Sequence, residues 1–341
     1  MRIAKQAAVA ASLVVGSVGV GEIQSAYGGL TGPYTSDANT LHLWHLDEQA
    51  TPAADQSHYN YAGTFTTKPD ANQPLNALFG GATLGNAGFT GFGTALNTAP
   101  AVTPPYAANS VQPGLGALTP NNGTLDNADH TFDNPTTHAF TMEALIKIGF
   151  DPAAAWNAPQ EIIAGEGDAG DSSDRSWQFR IEAHTNLAIP WVLRFQKVSG
   201  FGAPGGSTAN FNLDANIPTT GIDALALGGW YHVAATYNGN LADPSSLKLY
   251  WTRLDEANQQ ASQIGSGNMN GWLRQQDTDF SLGNEMRDFN GNTEPFNGLI
   301  DEVRISDVDR AASQFVFTPE PASMLWLAAS GLLIGRRKSR A

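Results

Sequence analysis

The residues best placed to do chemistry in this chain are carboxylates. In "LIDEVRIS" (299–306), period-2 alternation puts Leu299, Asp301, Val303 and Ile305 on one face of a strand and Ile300, Glu302 and Arg304 on the other. Asp301 is therefore expected on an apolar face near the strand's start, where an uncompensated carboxylate costs several kcal/mol. Backbone N–H groups, a cation or solvent at the sheet edge must offset that cost. The same alternation separates Asp301 from Glu302, so the two do not form an acid–base pair. A second acidic stretch, "GEGDAGDSSDR" (165–175), spaces Asp168, Asp171 and Asp174 by three. It lacks the alternating acidic pattern and late Glu of an EF-hand loop and reads as a solvated hairpin tip. His42 and His45, three apart on a strand, do not turn both rings to one face. With His232 in a central strand, they read as polar or interfacial residues rather than zinc ligands. Trp156 and Trp272 lie in loop-like surroundings where an indole can stack on a sugar; the other tryptophans fall at strand spacing and read as core.

The strands that must position these groups are legible between the two ends of the chain. "FTMEALIKI" (140–148) sets Phe140, Met142, Ala144, Ile146 and Ile148 on one face. "WQFRI" does the same with Trp177, Phe179 and Ile181, "WVLRF" with Trp191, Leu193 and Phe195, and "LKLYW" with Leu247, Leu249 and Trp251. "WYHVAATY" (230–237) is apolar on both faces, as a central strand would be. "FSLG" (280–283) and "LIDEVRIS" complete the set. Turn signals at Asn238-Gly239 and Asn297-Gly298 separate the runs. One apolar face per strand predicts two antiparallel sheets packed face to face, an all-β jelly-roll sandwich. The stretch 68–135, rich in Gly, Ala, Asn, Pro and Thr, is expected to be long surface loops, or disorder over 97–125.

Both ends have a different character. Arg2 and Lys5 precede an apolar run from Ala7 to Val20 and then small residues, the pattern of a secretory signal over 1–26. At the other end, the apolar run Ala322–Gly335 reaches roughly 21 Å as a helix, short of a bilayer core of about 30 Å. The domain proper is then 27–317 and the tail 318–341. The whole chain carries a net charge of −14. Removing the ends takes away six cations (Arg2, Lys5, Arg336, Arg337, Lys338, Arg340) and two anions (Glu22, Glu320) and leaves −18. Such a surface repels phosphate backbones, which argues against a nucleic-acid partner, and suits divalent cations. With no cysteine, disulfides, thiol catalysis and Cys–metal sites are excluded.

The segments "LHLWHLDE" (41–48), "ADQSHYNYAGT" (54–64), "GFGTAL" (91–96), "EIIAGEGD" (161–168), "WYHVAATYNG" (230–239) and "FNGLIDEVRIS" (296–306) resemble, in order and spacing, the laminin G-like, concanavalin A-like jelly-roll domains. The likeness covers about residues 40–315, with an insertion near 97–135. It implies the sandwich, and it implies a Ca²⁺ at the rim, where Asp55 in the Asp-x-Ser turn would meet Asp301. Glucanases on that fold carry a Glu-x-Asp-x-x-Glu strand, which this chain lacks, so no catalysis is expected. The tail, with Pro319, Glu320 and Pro321 ahead of the apolar run and Arg336 and Arg337 after it, resembles a PEP-CTERM sorting signal. That likeness implies processing by an exosortase-type membrane enzyme, only transient contact with the membrane, and delivery to the surface of a Gram-negative bacterium or beyond. The expected function is an exported, non-catalytic binding or matrix protein that holds a glycan or protein at the surface or in exopolysaccharide. The alternatives are a structural envelope component and a glycoside hydrolase on the same fold.

Overall fold

A computed structural model of the protein describes residues 32–50, 75–78, 82–98, 111–113, 133–134, 136–153, 159–166, 175–182, 191–197, 210–256, 260–273, 279–283 and 296–315. All of them fall in one compact unit, Tyr27–Glu320. The strands along the chain are β1 (Thr40–Trp44), β2 (Leu75–Leu78), β3 (Thr83–Ala87), β4 (Thr94–Asn97) and β5 (Val111–Pro113). They continue with β6 (Phe140–Ile148), β7 (Gln160–Glu166), β8 (Arg175–Glu182), β9 (Val192–Lys197) and β10 (Phe211–Asn216). The last are β11 (Trp230–Tyr237), β12 (Leu247–Arg253), β13 (Gln263–Gly267), β14 (Asp279–Leu282) and β15 (Gly298–Ser306), followed by a short 3-10 turn, Ala312–Gln314. The larger sheet runs β13-β12-β11-β6-β15-β4-β3, with β1 also on β15, and the smaller runs β10-β9-β8-β7-β14-β5-β2. All pairings are antiparallel, and the two sheets form a jelly-roll sandwich.

The core between the sheets is what the alternation predicts. Phe140, Met142, Ala144, Ile146 and Ile148 of β6 meet Trp177, Phe179 and Ile181 of β8, Leu193 and Phe195 of β9, and Leu247, Leu249 and Trp251 of β12. Phe195 stacks between Phe140 and Trp177, with ring centroids 5.4 and 6.4 Å away. Burying this many large side chains at about 25 cal/mol per Å² supplies the stability that no disulfide can. Gly239 opens the β11–β12 connection at φ 75°, and a Cβ there would lie 1.8 Å from the Thr137 carbonyl, so only glycine fits.

Two expectations are corrected. The 68–135 stretch is not loop throughout: β2, β3, β4 and β5 fall within it. These strands are three to five residues long and sit toward the far ends of the two sheets, where pairing with a neighbour, not side-chain type, decides conformation. The second correction concerns β15. Ile300, Val303 and Ile305 all face the core, whereas Leu299 packs in the opposite, outward layer. The register against β6 steps by one residue between Asp301 and Arg304, and Glu302 there has φ 49°. A β-bulge thus breaks the alternation and turns Asp301, Glu302 and Arg304 to the outward side.

That outward side is itself closed. Tyr34, Leu43, Phe92, Ala95, Leu145, Trp230 and Leu254 form one apolar layer over it, and Ala234, Tyr250, Ala261 and Phe315 another. All eight residues of β11 are consequently buried, which is why that strand is apolar on both faces. Within this layer Arg304 Nε donates to Glu143 Oε1 at 2.7 Å, His232 Nε2 lies 3.1 Å from Glu143 Oε2, and the Tyr34 ring covers the guanidinium at 4.4 Å. Burial raises the Glu143 carboxyl's pKa, but Arg304 and His232 outweigh it and hold the group down at about 2. Glu143→Ala strands the guanidinium in an apolar layer, and chemical denaturation is expected to show a loss of about 3–5 kcal/mol. The double variant Glu143→Leu/Arg304→Met is expected to recover most of that loss.

Candidate functional site

The outward face of the smaller sheet is polar by the same alternation that makes its inner face core. Across four strands the register lines up Asp214 (β10), Arg194 (β9), Arg180 (β8) and Glu161 (β7) in one row. One step along the strands lies a row of amides, Asn212, Gln196 and Gln178. Side-chain exposure falls steadily along the charged row, from 41% at Asp214 through 18% and 10% to 0% at Glu161. Arg194 grips Asp214 with two bonds, Nε to Oδ1 at 2.6 Å and Nη2 to Oδ2 at 2.7 Å. Arg180 Nη1 donates to Gln178 Oε1 at 3.0 Å and lies 3.9 Å from Glu161 Oε2. Neighbouring strands sit about 4.8 Å apart, so a ligand lying across them meets a fresh donor or acceptor at each step.

A second constellation lies where β15 begins. Asp301 Oδ1 accepts the Glu302 N–H at 2.9 Å. Oδ2 is buried with no hydrogen-bond partner among the described residues, and a Cβ on Gly88 would lie 2.6 Å from it. Asp47 Oδ1 accepts the Thr94 N–H at 2.7 Å, so two carboxylates close on the glycine-rich segment 88–94. Glu302 is held by the Tyr34 N–H at 2.7 Å and by His45 Nδ1 at 2.8 Å. Burial, then the neighbouring Glu302 and Asp47, push the Asp301 carboxyl up to about 9, against the backbone N–H groups of Glu302 and Phe89. A buried carboxyl with an unpartnered oxygen is the environment a hard, oxygen-seeking cation such as Ca²⁺ relieves. The fit is incomplete: among the described residues no three His, Asp or Glu side chains are arranged to hold a metal.

The other expected site residues are dispersed. Asp55, Trp156, Pro319, Glu320, Pro321, Arg336 and Arg337 lie outside the described residues. The same holds for the 1–26 segment, most of the tip around Asp168, Asp171 and Asp174, and most of 97–125. Trp272 presents no open indole on one side, because the His138 ring stacks on it with centroids 3.7 Å apart. His42 stacks on Trp44, His45 goes to Glu302 and His232 to Glu143. Among the described residues no helix is long and apolar enough to cross a membrane. Sequence reasoning missed Asp47 and the charged row. The alternation of "WQFRI" and "WVLRF" already turned Arg180 and Arg194 to one side, but only the pairing of β8 with β9 shows that they are neighbours.

A two-sheet antiparallel jelly roll with one face closed and one polar defines a class of β-sandwich modules. A family profile described as the concanavalin A-like lectin/glucanases superfamily, Laminin_G_3, matches residues 120–314, more than half of the chain, and the chain belongs to that family. No curated protein matches it. Among solved structures it is similar to the botulinum neurotoxin serotype C1 binding domain, at 11% identity and a TM-score of 0.44, covering 81% of this chain and 50% of that one. It is also similar to the Ruminococcus gnavus IT-sialidase CBM40 bound to alpha2,3 sialyllactose, at 16% identity and a TM-score of 0.34, covering 52% and 80%. A third is the Trypanosoma rangeli sialidase, at 12% identity and a TM-score of 0.41, covering 82% and 32%. The chain spans about half the length of the botulinum binding domain and a third of that sialidase.

An unfolded aspartate releases its proton near pH 4 and the folded Asp301 near 9, so the native state holds one proton more in between. Its contribution to stability therefore falls as pH rises through that interval. In EDTA, Asp301→Asn is expected to melt higher than the parent at about pH 8, by roughly 2–4 °C for each kcal/mol recovered, and no higher at about pH 4. Should Ca²⁺ occupy the site, adding it at the higher pH is expected to raise the parent's melting temperature and leave the variant's unchanged. Differential scanning calorimetry checks both.

Proposed function

We propose that the chain is an exported, non-catalytic module that binds polysaccharide across the outward face of its smaller sheet. The observation that carries this is the pair of register-aligned rows, one of amides and one of paired charges, on the outward side of the smaller sheet. The more exposed members of the two rows, Asn212, Gln196, Arg194 and Asp214, offer donors and acceptors one strand apart, and a chain of hydroxyls suits that geometry. Ca²⁺, held by Asp301 and Asp47 with backbone oxygens, would supply charge compensation and rigidity on the other sheet, with Asp55 as a further ligand. The signal-like pattern of residues 1–26 and the likeness of the tail from Pro319 to Arg337 to a sorting signal support export and exosortase-type processing, and so action at the cell surface or in exopolysaccharide.

Glycoside hydrolysis is the second reading, favoured by Glu161 and Glu182 on either side of Arg180. Affinity electrophoresis of the full chain through gels containing single polysaccharides tests binding. Retardation in at least one gel, weakened about tenfold by Asn212→Ala/Gln196→Ala, is expected. Free migration in every gel, or retention unaltered in the double variant, would overturn the site. Release of reducing ends from a retained polysaccharide would establish the hydrolase.

A further inference from the structure

Glu182 stands between the two arginines of the charged row. Its Oε2 lies 3.1 Å from Arg180 Nε and 2.9 Å from Arg194 Nη1. The other edge of Arg194 is filled by Asp214, and Arg180 also faces Glu161. Each guanidinium on this face is thus already matched by carboxylate. Among the described residues of this row, two cations meet three anions, on a chain whose net charge is −14. Arginine recognises an anionic sugar by offering a planar fork of N–H donors to a carboxylate or sulfate. Here the Arg194 fork is filled by Asp214, and Arg180 is flanked by the Glu182 and Glu161 carboxylates.

We propose that the face selects uncharged polysaccharide and rejects polyanions, and that Glu182 is the residue that sets this selectivity. The inference rests on the binding reading above and adds the class of ligand. A uronate entering the row would have to displace Glu182 or Asp214 and leave that carboxylate half-buried beside it, a repulsive element built against the wrong ligand. A neutral sugar meets no such cost. Its hydroxyls donate to the lone pairs that Glu182 and Asp214 keep free, and its oxygens accept from Asn212 and Gln196. Glu182 is about a quarter exposed, so it is within reach of a ligand on the surface.

Glu182→Gln keeps the side chain's shape and removes the charge shared by both guanidiniums. Affinity electrophoresis of the full chain in neutral gels (β-glucan, galactomannan) and anionic gels (alginate, polygalacturonate) reads the effect. The parent is expected to be slowed by a neutral gel and not by an anionic one. Glu182→Gln is expected to gain retention in the anionic gels by about tenfold, and to lose that gain at roughly 1 M salt, where screening reaches about 3 Å. A parent slowed only by the anionic gels would overturn the inference and leave the binding reading standing. A parent slowed by neither would end both. A variant with the parent's melting temperature and no gain on polyanions would show that Glu182 does not set the selectivity.

Discussion

Gly298 to Ser306 of β15 pairs with Ile148 to Thr141 of β6, one residue more than its partner over the same span, and the chain absorbs the excess at Glu302, at φ 49°. Without that step Arg304 would fall out of register with Glu143. With it, the guanidinium lands opposite the carboxylate on β6 and under the Tyr34 ring. The bulge also sets Asp301 on the outward layer against Gly88 instead of in the core between the sheets. A non-glycine residue at positive φ in the middle of a sheet is strained, and it persists only where its surroundings hold it. The Tyr34 N–H and His45 on the Glu302 carboxylate supply that restraint.

The two sheets consequently do different work. The central strands of the larger are buried on both faces, and Arg304, Glu143 and His232 are paired inside an apolar layer drawn from Tyr34 near one end of the described chain and Phe315 at the other. Such a pair adds little net stability but strongly disfavours alternatives in which either charge is left alone. The smaller sheet buries its inner face and, over β7 and β8, its outward face as well, where Glu161, Gln178 and Arg180 are buried, and it opens outward over β9 and β10. That outward face carries rows of amides and charges whose spacing is the spacing of the strands. Rigid strands, not loops, present these groups, so their positions are fixed by the backbone ladder before any ligand arrives.

The distribution of charge over that face follows from local pairing as much as from composition. An acidic chain could still hold a free guanidinium in a groove. What matters is that Glu182 reaches both Arg180 and Arg194, which is possible because all three side chains point the same way from adjacent, register-matched strands. A change of one residue in that register would turn the arginines into the core.

The sequence by itself determined the fold class, the core and the character of most long strands. Large apolar side chains at period 2 leave one solution, and Phe140, Trp177, Phe195 and Trp251 lie where that period puts them. It also pointed to Asp301 as a buried carboxylate in need of compensation. It did not locate the bulge: the adjacent polar pair Asp301-Glu302 between Ile300 and Val303 breaks the alternation, but that an extra residue is absorbed there is defined only relative to β6. It under-read β2 to β5, whose runs of three to five residues are too short to show a period and become strands through their partners. Only the tertiary structure decided which carboxylates meet which cations. Asp47 with Asp301, and Glu182 with Arg180 and Arg194, are set by strand order and register, and neither is a property of any single stretch of chain.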